Sequence, residues 1–185
     1  MKLLMKSAVI VAIWGSMIVS AFAISNTGSI TFTGKVTKGT CSSAVASDSG
    51  NVTMPDVGVG DFTNKGDTKG DTNFQINLRN CSVNPSSNSS VKIKFTGESD
   101  TDDKKVLKNS ASGSSAAGVG IGIYNKSSES QIEIGGGSSV EITTLTSTDT
   151  TKELEFIAKY VATKNKSNIR PGSVRANANF TIEYD

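Results

Sequence analysis

Between Val174 and Tyr184 the chain alternates without a break. Val174, Ala176, Ala178, Phe180, Ile182 and Tyr184 fall on one side, and Arg175, Asn177, Asn179, Thr181 and Glu183 on the other. Side chains at period two point to opposite faces of a strand, so this segment predicts a strand of about ten residues with one buried face. Shorter runs repeat the pattern. Phe74, Ile76 and Leu78 alternate with Gln75, Asn77 and Arg79, and Val91, Ile93 and Phe95 with Lys92, Lys94 and Thr96. Leu154, Phe156, Ala158 and Tyr160 form another face, Val119, Ile121 and Ile123 alternate with glycines, Ser29–Val36 alternates, and Asn51–Met54 reads as a short strand stopped by Pro55. Clusters of Gly, Ser, Asn and Asp separate these runs, and no segment after residue 23 keeps a helical period. Many short strands joined by such turns predict an all-β sandwich. The segments near 82–90, 97–115 and 125–139 are expected to be exposed, mobile loops.

The first 23 residues stand apart. Lys2 and Lys6 precede an apolar run, Ala8–Ala23, that ends in Ala21-Phe22-Ala23. A basic start, a short apolar run and a small-x-small end predict a secretory signal cleaved after Ala23. The run is shorter than the roughly 20 residues needed to span a bilayer, so no membrane insertion is expected. Cleavage would leave 162 residues, within the range of one domain, with 17 basic residues against 17 acidic ones. Such a balance gives nucleic acid no basic face to bind. Export into an oxidising compartment predicts a disulfide between Cys41 and Cys81, the only cysteines.

Catalysis finds little footing. The chain has no histidine, which removes Ser-His and Cys-His pairs, and no enzyme, cofactor or metal is expected. Asp100, Asp102 and Asp103 open like a calcium loop, but Lys105 and Ala111 stand where glycine and glutamate are needed. Gly118, Gly120 and Gly122 lie in a strand pattern rather than before a helix, so they predict a strand passing close to other backbone instead of a phosphate loop.

Four segments together resemble the major subunits of type 1 fimbriae, assembled by the chaperone–usher pathway: Gly28–Val36 (GSITFTGKV) followed by Cys41, Phe74–Cys81 (FQINLRNC), Phe156–Thr163 (FIAKYVAT), and Pro171–Tyr184 (PGSVRANANFTIEY). The resemblance implies an incomplete immunoglobulin-like β-sandwich (the pilin fold), completed by donor-strand exchange. Residues 1–23 would be the signal peptide, 24–33 an N-terminal donor strand and 34–185 the pilin domain. Ile24, Asn26, Gly28, Ile30 and Phe32 would form the donor's inserting face, with Gly28 where the receiving groove narrows. Val174, Ala176, Ala178, Phe180, Ile182 and Tyr184 would form the edge strand that receives first a periplasmic chaperone and then a neighbouring subunit at the outer-membrane usher. The implied function is a structural, surface-exposed homopolymer supporting cell adhesion. A minor or adaptor subunit of the same system is the alternative, and a self-complete secreted sugar-binding sandwich a more distant one.

Overall fold

The computed structural model describes residues 39–136 and 138–185, all within one compact unit. The donor positions Ile24, Asn26, Gly28, Ile30 and Phe32, the signal segment and the strand read over Ser29–Val36 lie outside the described residues. Eight strands occur among the described residues: β1 (Gly39–Ala46), β2 (Thr68–Val83), β3 (Ser89–Gly97), β4 (Val119–Asn125), β5 (Gln131–Ile132), β6 (Val140–Leu145), β7 (Thr151–Ala162) and β8 (Ala178–Tyr184). They build two antiparallel sheets, one ordered β1-β2-β7-β4-β5 and the other β6-β3-β8.

The alternating runs become the inner faces of these sheets. From β3, Val91, Ile93 and Phe95 are buried, while Lys92, Lys94 and Thr96 face outward and stay half-exposed. Opposite them, β2 and β7 bury Ile76, Leu78, Leu154 and Phe156. Phe156 joins the two layers. Its ring stacks on Phe74 within its own sheet at 5.3 Å and meets Phe95 of the other sheet edge-on at 5.4 Å. Both arrangements suit the quadrupoles of aromatic rings.

Cys41 and Cys81 are disulfide-bonded and directly opposite each other in the β1–β2 ladder, so the crosslink staples an edge strand to its neighbour. Closing a loop of about 40 residues stabilises a fold by about 4 kcal/mol in the chain-entropy picture. Replacing both cysteines with alanine is therefore expected to lower the unfolding free energy by about that amount, read as a lower denaturant midpoint with a somewhat steeper slope, since the uncrosslinked unfolded chain exposes more surface.

Three expectations need correction. Asn51–Met54 joins no ladder among the described residues; it runs on from a turn in which Asp48 and Ser49 take positive φ. The 82–90, 97–115 and 125–139 segments are not exposed throughout: Val83 and Ser89 are buried in the first, and Ile132 of β5 and Ile134 in the last. In the middle one Val106 and Leu107 are buried, and Leu107 exchanges both backbone hydrogen bonds with Ile121 of β4. Gly120 makes this possible, because a Cβ there would stand 2.4 Å from the Leu107 carbonyl oxygen and 2.6 Å from a Val106 methyl. The alternating glycines thus mark a close backbone approach, as their pattern predicts. The final strand is also shorter than its alternation: the ladder to β3 begins at Ala178, because its partner ends at Gly97.

Candidate functional site: a groove beside the last strand

The face of β8 differs from the face of its neighbour. Val91 and Ile93 of β3 are fully buried and Phe95 is 3% exposed. Phe180, Ile182 and Tyr184 of β8, chemically as apolar, are only half-buried, as are Val174 and Ala176 just before the strand. β8 pairs with β3 on one side and joins no ladder on its other side among the described residues. The alternation is real, but the sandwich does not cover it.

A surface groove of about 1110 Å³ runs along this unpaired side. Its floor is the inner face of the five-stranded sheet: Phe74 and Ile76 of β2, Ile121 and Ile123 of β4, Ala158 and Tyr160 of β7. Val174, Ala176, Ala178 and Phe180 form one wall, and the unladdered segment from Asn51 to Val59 forms the other. The two walls do not pair with each other in any described ladder. Spanning such a gap takes a strand, since only a strand offers N–H and C=O groups to both sides at the spacing of a ladder.

Of the six predicted edge residues, four line the groove. Ile182 and Tyr184 lie beyond it and pack on the main core. The Tyr184 phenol is held by a backbone hydrogen bond from Cys41, and burial, opposed by that bond, pushes its pKa above the usual tyrosine value. Tyr160 on the groove floor is shifted the same way by burial and then by the Asp56 carboxylate. Both therefore stay neutral at physiological pH and present uncharged surface. The end of the chain is fixed by mutual backbone hydrogen bonds between Ser90 and Asp185 and by an ion pair between Lys92 and Asp185.

At the other end of the groove lies a second apolar cluster that the alternation does not reveal. Phe62, Val119, Ala162 and Ile169 are buried there, with Val57, Val59, Tyr160 and Val174 packed against them. Phe62 sits alone in a Gly- and Asp-rich stretch, so no periodicity marks it. Asp100 and Asp103 act as turn caps: Asp100 Oδ1 accepts the Asp102 N–H at 2.8 Å, and Asp103 Oδ1 accepts the Lys105 N–H at 3.0 Å.

Comparison with known proteins gives this groove its context. Residues 30–185 match the fimbrial protein family. A major fimbrial subunit of Haemophilus influenzae is 33% identical over 115 residues, covering 54% of this chain and 54% of the relative. Long polar fimbria protein A of Salmonella typhimurium is 34% identical over 96 residues, covering 51% of this chain and 53% of the relative. The chain thus spans about half the length of these curated relatives. A crystal structure of an antigen and type I fimbria protein from Burkholderia pseudomallei aligns with a TM-score of 0.57 at 27% identity, covering 79% of this chain and 99% of that one. A chaperone–usher pilus structure aligns with a TM-score of 0.57 at 18% identity, over 86% of this chain and 96% of that one, which speaks to the fold alone. The two-sheet, immunoglobulin-like arrangement is the pilin fold, and by the match over residues 30–185 the chain belongs to the fimbrial protein family.

Proposed function

We propose that this protein is a structural subunit of a chaperone–usher fimbria, polymerising head to tail by donor-strand exchange on the bacterial surface. The reading rests on one observation above the others: an apolar strand face that is half-buried beside a groove whose two walls are joined by no ladder among the described residues. A long apolar edge left in this state invites uncontrolled pairing, so a cell must cover it from export onward. In the proposed sequence a periplasmic chaperone first supplies a strand. At the outer-membrane usher, residues 24–33 of the next copy replace it. This is β-strand addition, in which main-chain hydrogen bonds supply affinity and alternate side chains fill pockets. Ile30 and Phe32 would enter the groove as its main apolar plugs, and Gly28 would take the narrow part. The role is one of assembly and not catalysis, and cell adhesion would follow from the fibre.

Expression in a pilus-free bacterium with and without a cognate periplasmic chaperone tests this reading. With the chaperone, negative-stain electron microscopy is expected to show surface fibres built of this chain. Without it, the chain is expected to aggregate or be degraded in the periplasm. Accumulation of a stable, soluble monomer in the chaperone's absence would overturn the proposal.

A further inference from the structure

The wall of the groove before β8 has an unusual support. Residues 174–177 lie outside the ladder to β3, yet they must stay extended for Val174 and Ala176 to face the groove. Their order comes from the loop between β3 and β4, through its backbone and through the Asn109 side chain. Asn109 Oδ1 accepts the Arg175 N–H at 3.0 Å and the Ala111 N–H at 3.0 Å. Asn109 Nδ2 donates to the Ser173 carbonyl at 3.0 Å and to the Ala116 carbonyl at 2.8 Å. A carboxamide has two donor hydrogens and an acceptor oxygen with two lone pairs, so all four positions are in use.

The pattern is informative. Ser173 C=O and Arg175 N–H are the groups that a neighbouring strand would bond between Val174's two flanking peptides, and the Asn109 amide substitutes for that strand's peptide group. The loop backbone adds to it. Ser110 N–H donates to the Arg175 carbonyl at 2.7 Å, and Ala116 N–H to the Ser173 carbonyl at 2.9 Å. Gly172 permits the approach, since a Cβ there would lie 2.5 Å from the Ser114 carbonyl oxygen and the Ala116 nitrogen. All four residues from Ser173 to Ala176 border the groove, with Ser173 and Arg175 exposed and Val174 and Ala176 half-buried.

We infer that Asn109 is a positioning residue for strand capture: it holds residues 173–175 extended before an incoming strand arrives. This rests on the groove being a strand acceptor. A receiving wall fixed in advance loses less conformational freedom on binding, and capture slows in proportion to the fraction of molecules in which the wall is not in place. Asn109 is not among the residues that line the groove, so its effect is expected on the capture rate and not on release.

The test uses the full chain, refolded by dilution into an excess of a fluorescent synthetic peptide covering residues 24–33, with peptide uptake and release followed by stopped mixing and chase. Asn109→Ala is expected to slow uptake by about tenfold, the scale of losing hydrogen bonds of ordinary strength, with the release rate unchanged within twofold. Amide hydrogen exchange is expected to rise at residues 173–177 and stay unchanged in β2 and β7. Asn109→Asp keeps both acceptor contacts but faces two carbonyl oxygens with a carboxylate. It is expected to slow uptake as well, and it serves if the alanine variant does not fold. Uptake at the parental rate in a folded variant, or faster release with uptake unchanged, would overturn the positioning role while leaving the groove reading intact. Failure of the unmodified chain to take up the peptide would remove the groove reading and this inference with it.

Discussion

Deleting residues 24–33 is expected to abolish fibre growth while leaving the chain able to form a complex with its chaperone. The reason is that the proposed donor and acceptor lie in different parts of the chain. The groove is built from β2, β4, β7, the Asn51–Val59 segment and the approach to β8, all downstream of the deletion. The truncated chain thus keeps its whole receiving surface. Under the proposed donor role of residues 24–33, it would have nothing to offer the next copy. Each fully buried Ile or Phe contributes about 1.5–3 kcal/mol, so removing Ile24, Ile30 and Phe32 takes away several kcal/mol at every junction, besides the main-chain ladder. A polymer multiplies that loss over every joint. Co-purification with a tagged chaperone at parental yield, together with bald cells under the electron microscope, is the expected pair of results. Normal fibres from the truncated chain would show that the donor lies elsewhere. Replacing Gly28 with leucine in the intact chain should slow assembly without lowering chaperone binding.

Phe156→Ala is expected to cost about 3–5 kcal/mol, the range for truncating a buried aromatic. Phe156 is fully buried, and it is the side chain that ties the two layers, by stacking on Phe74 and meeting Phe95 edge-on. The loss comes on top of a groove beside β8 that no described strand fills, and a domain's total stability is only about 5–15 kcal/mol. The measurable outcomes are a lower denaturant midpoint for the chaperone-bound chain and a matching fall in periplasmic abundance. Phe156→Leu, which keeps most of the volume, is expected to lose far less. Equal loss from both would place the damage in the Phe74–Phe95 ring contacts rather than in the cavity.

How far these features could be read from the residues depends on which side chains carry them. Val91, Ile93 and Phe95, or Leu154, Phe156 and Ala158, alternate cleanly because each faces a core on one side and water on the other. β1, with the sequence GTCSSAVA, carries small residues that mark no face; it is an edge strand held by β2 and the disulfide. β6 is missed for the related reason that Val140, Glu141 and Thr144 leave its face mixed and exposed. Val174–Asn177 alternates like a strand but finds no ladder to β3, since pairing depends on the partner's length, which a single segment does not encode. Asn51–Met54 shows the same limit: its extended, β-branched character fits a strand whose neighbour is absent from the described residues. The edge strand itself was legible. The half-burial of its face, and the Asn109 amide behind the approach to it, arise from contacts distant in sequence.

The position of the disulfide matters most when the fibre is pulled. In the proposed fibre, tension passed from subunit to subunit would enter β1 from its N-terminal side and tend to peel it off the sheet like a zipper. Cys41, the third residue of β1, meets a covalent tie to Cys81 near the C-terminal end of β2. The load is then shared by a sixteen-residue strand hydrogen-bonded on both flanks, where rupture requires many bonds to shear at once instead of one after another.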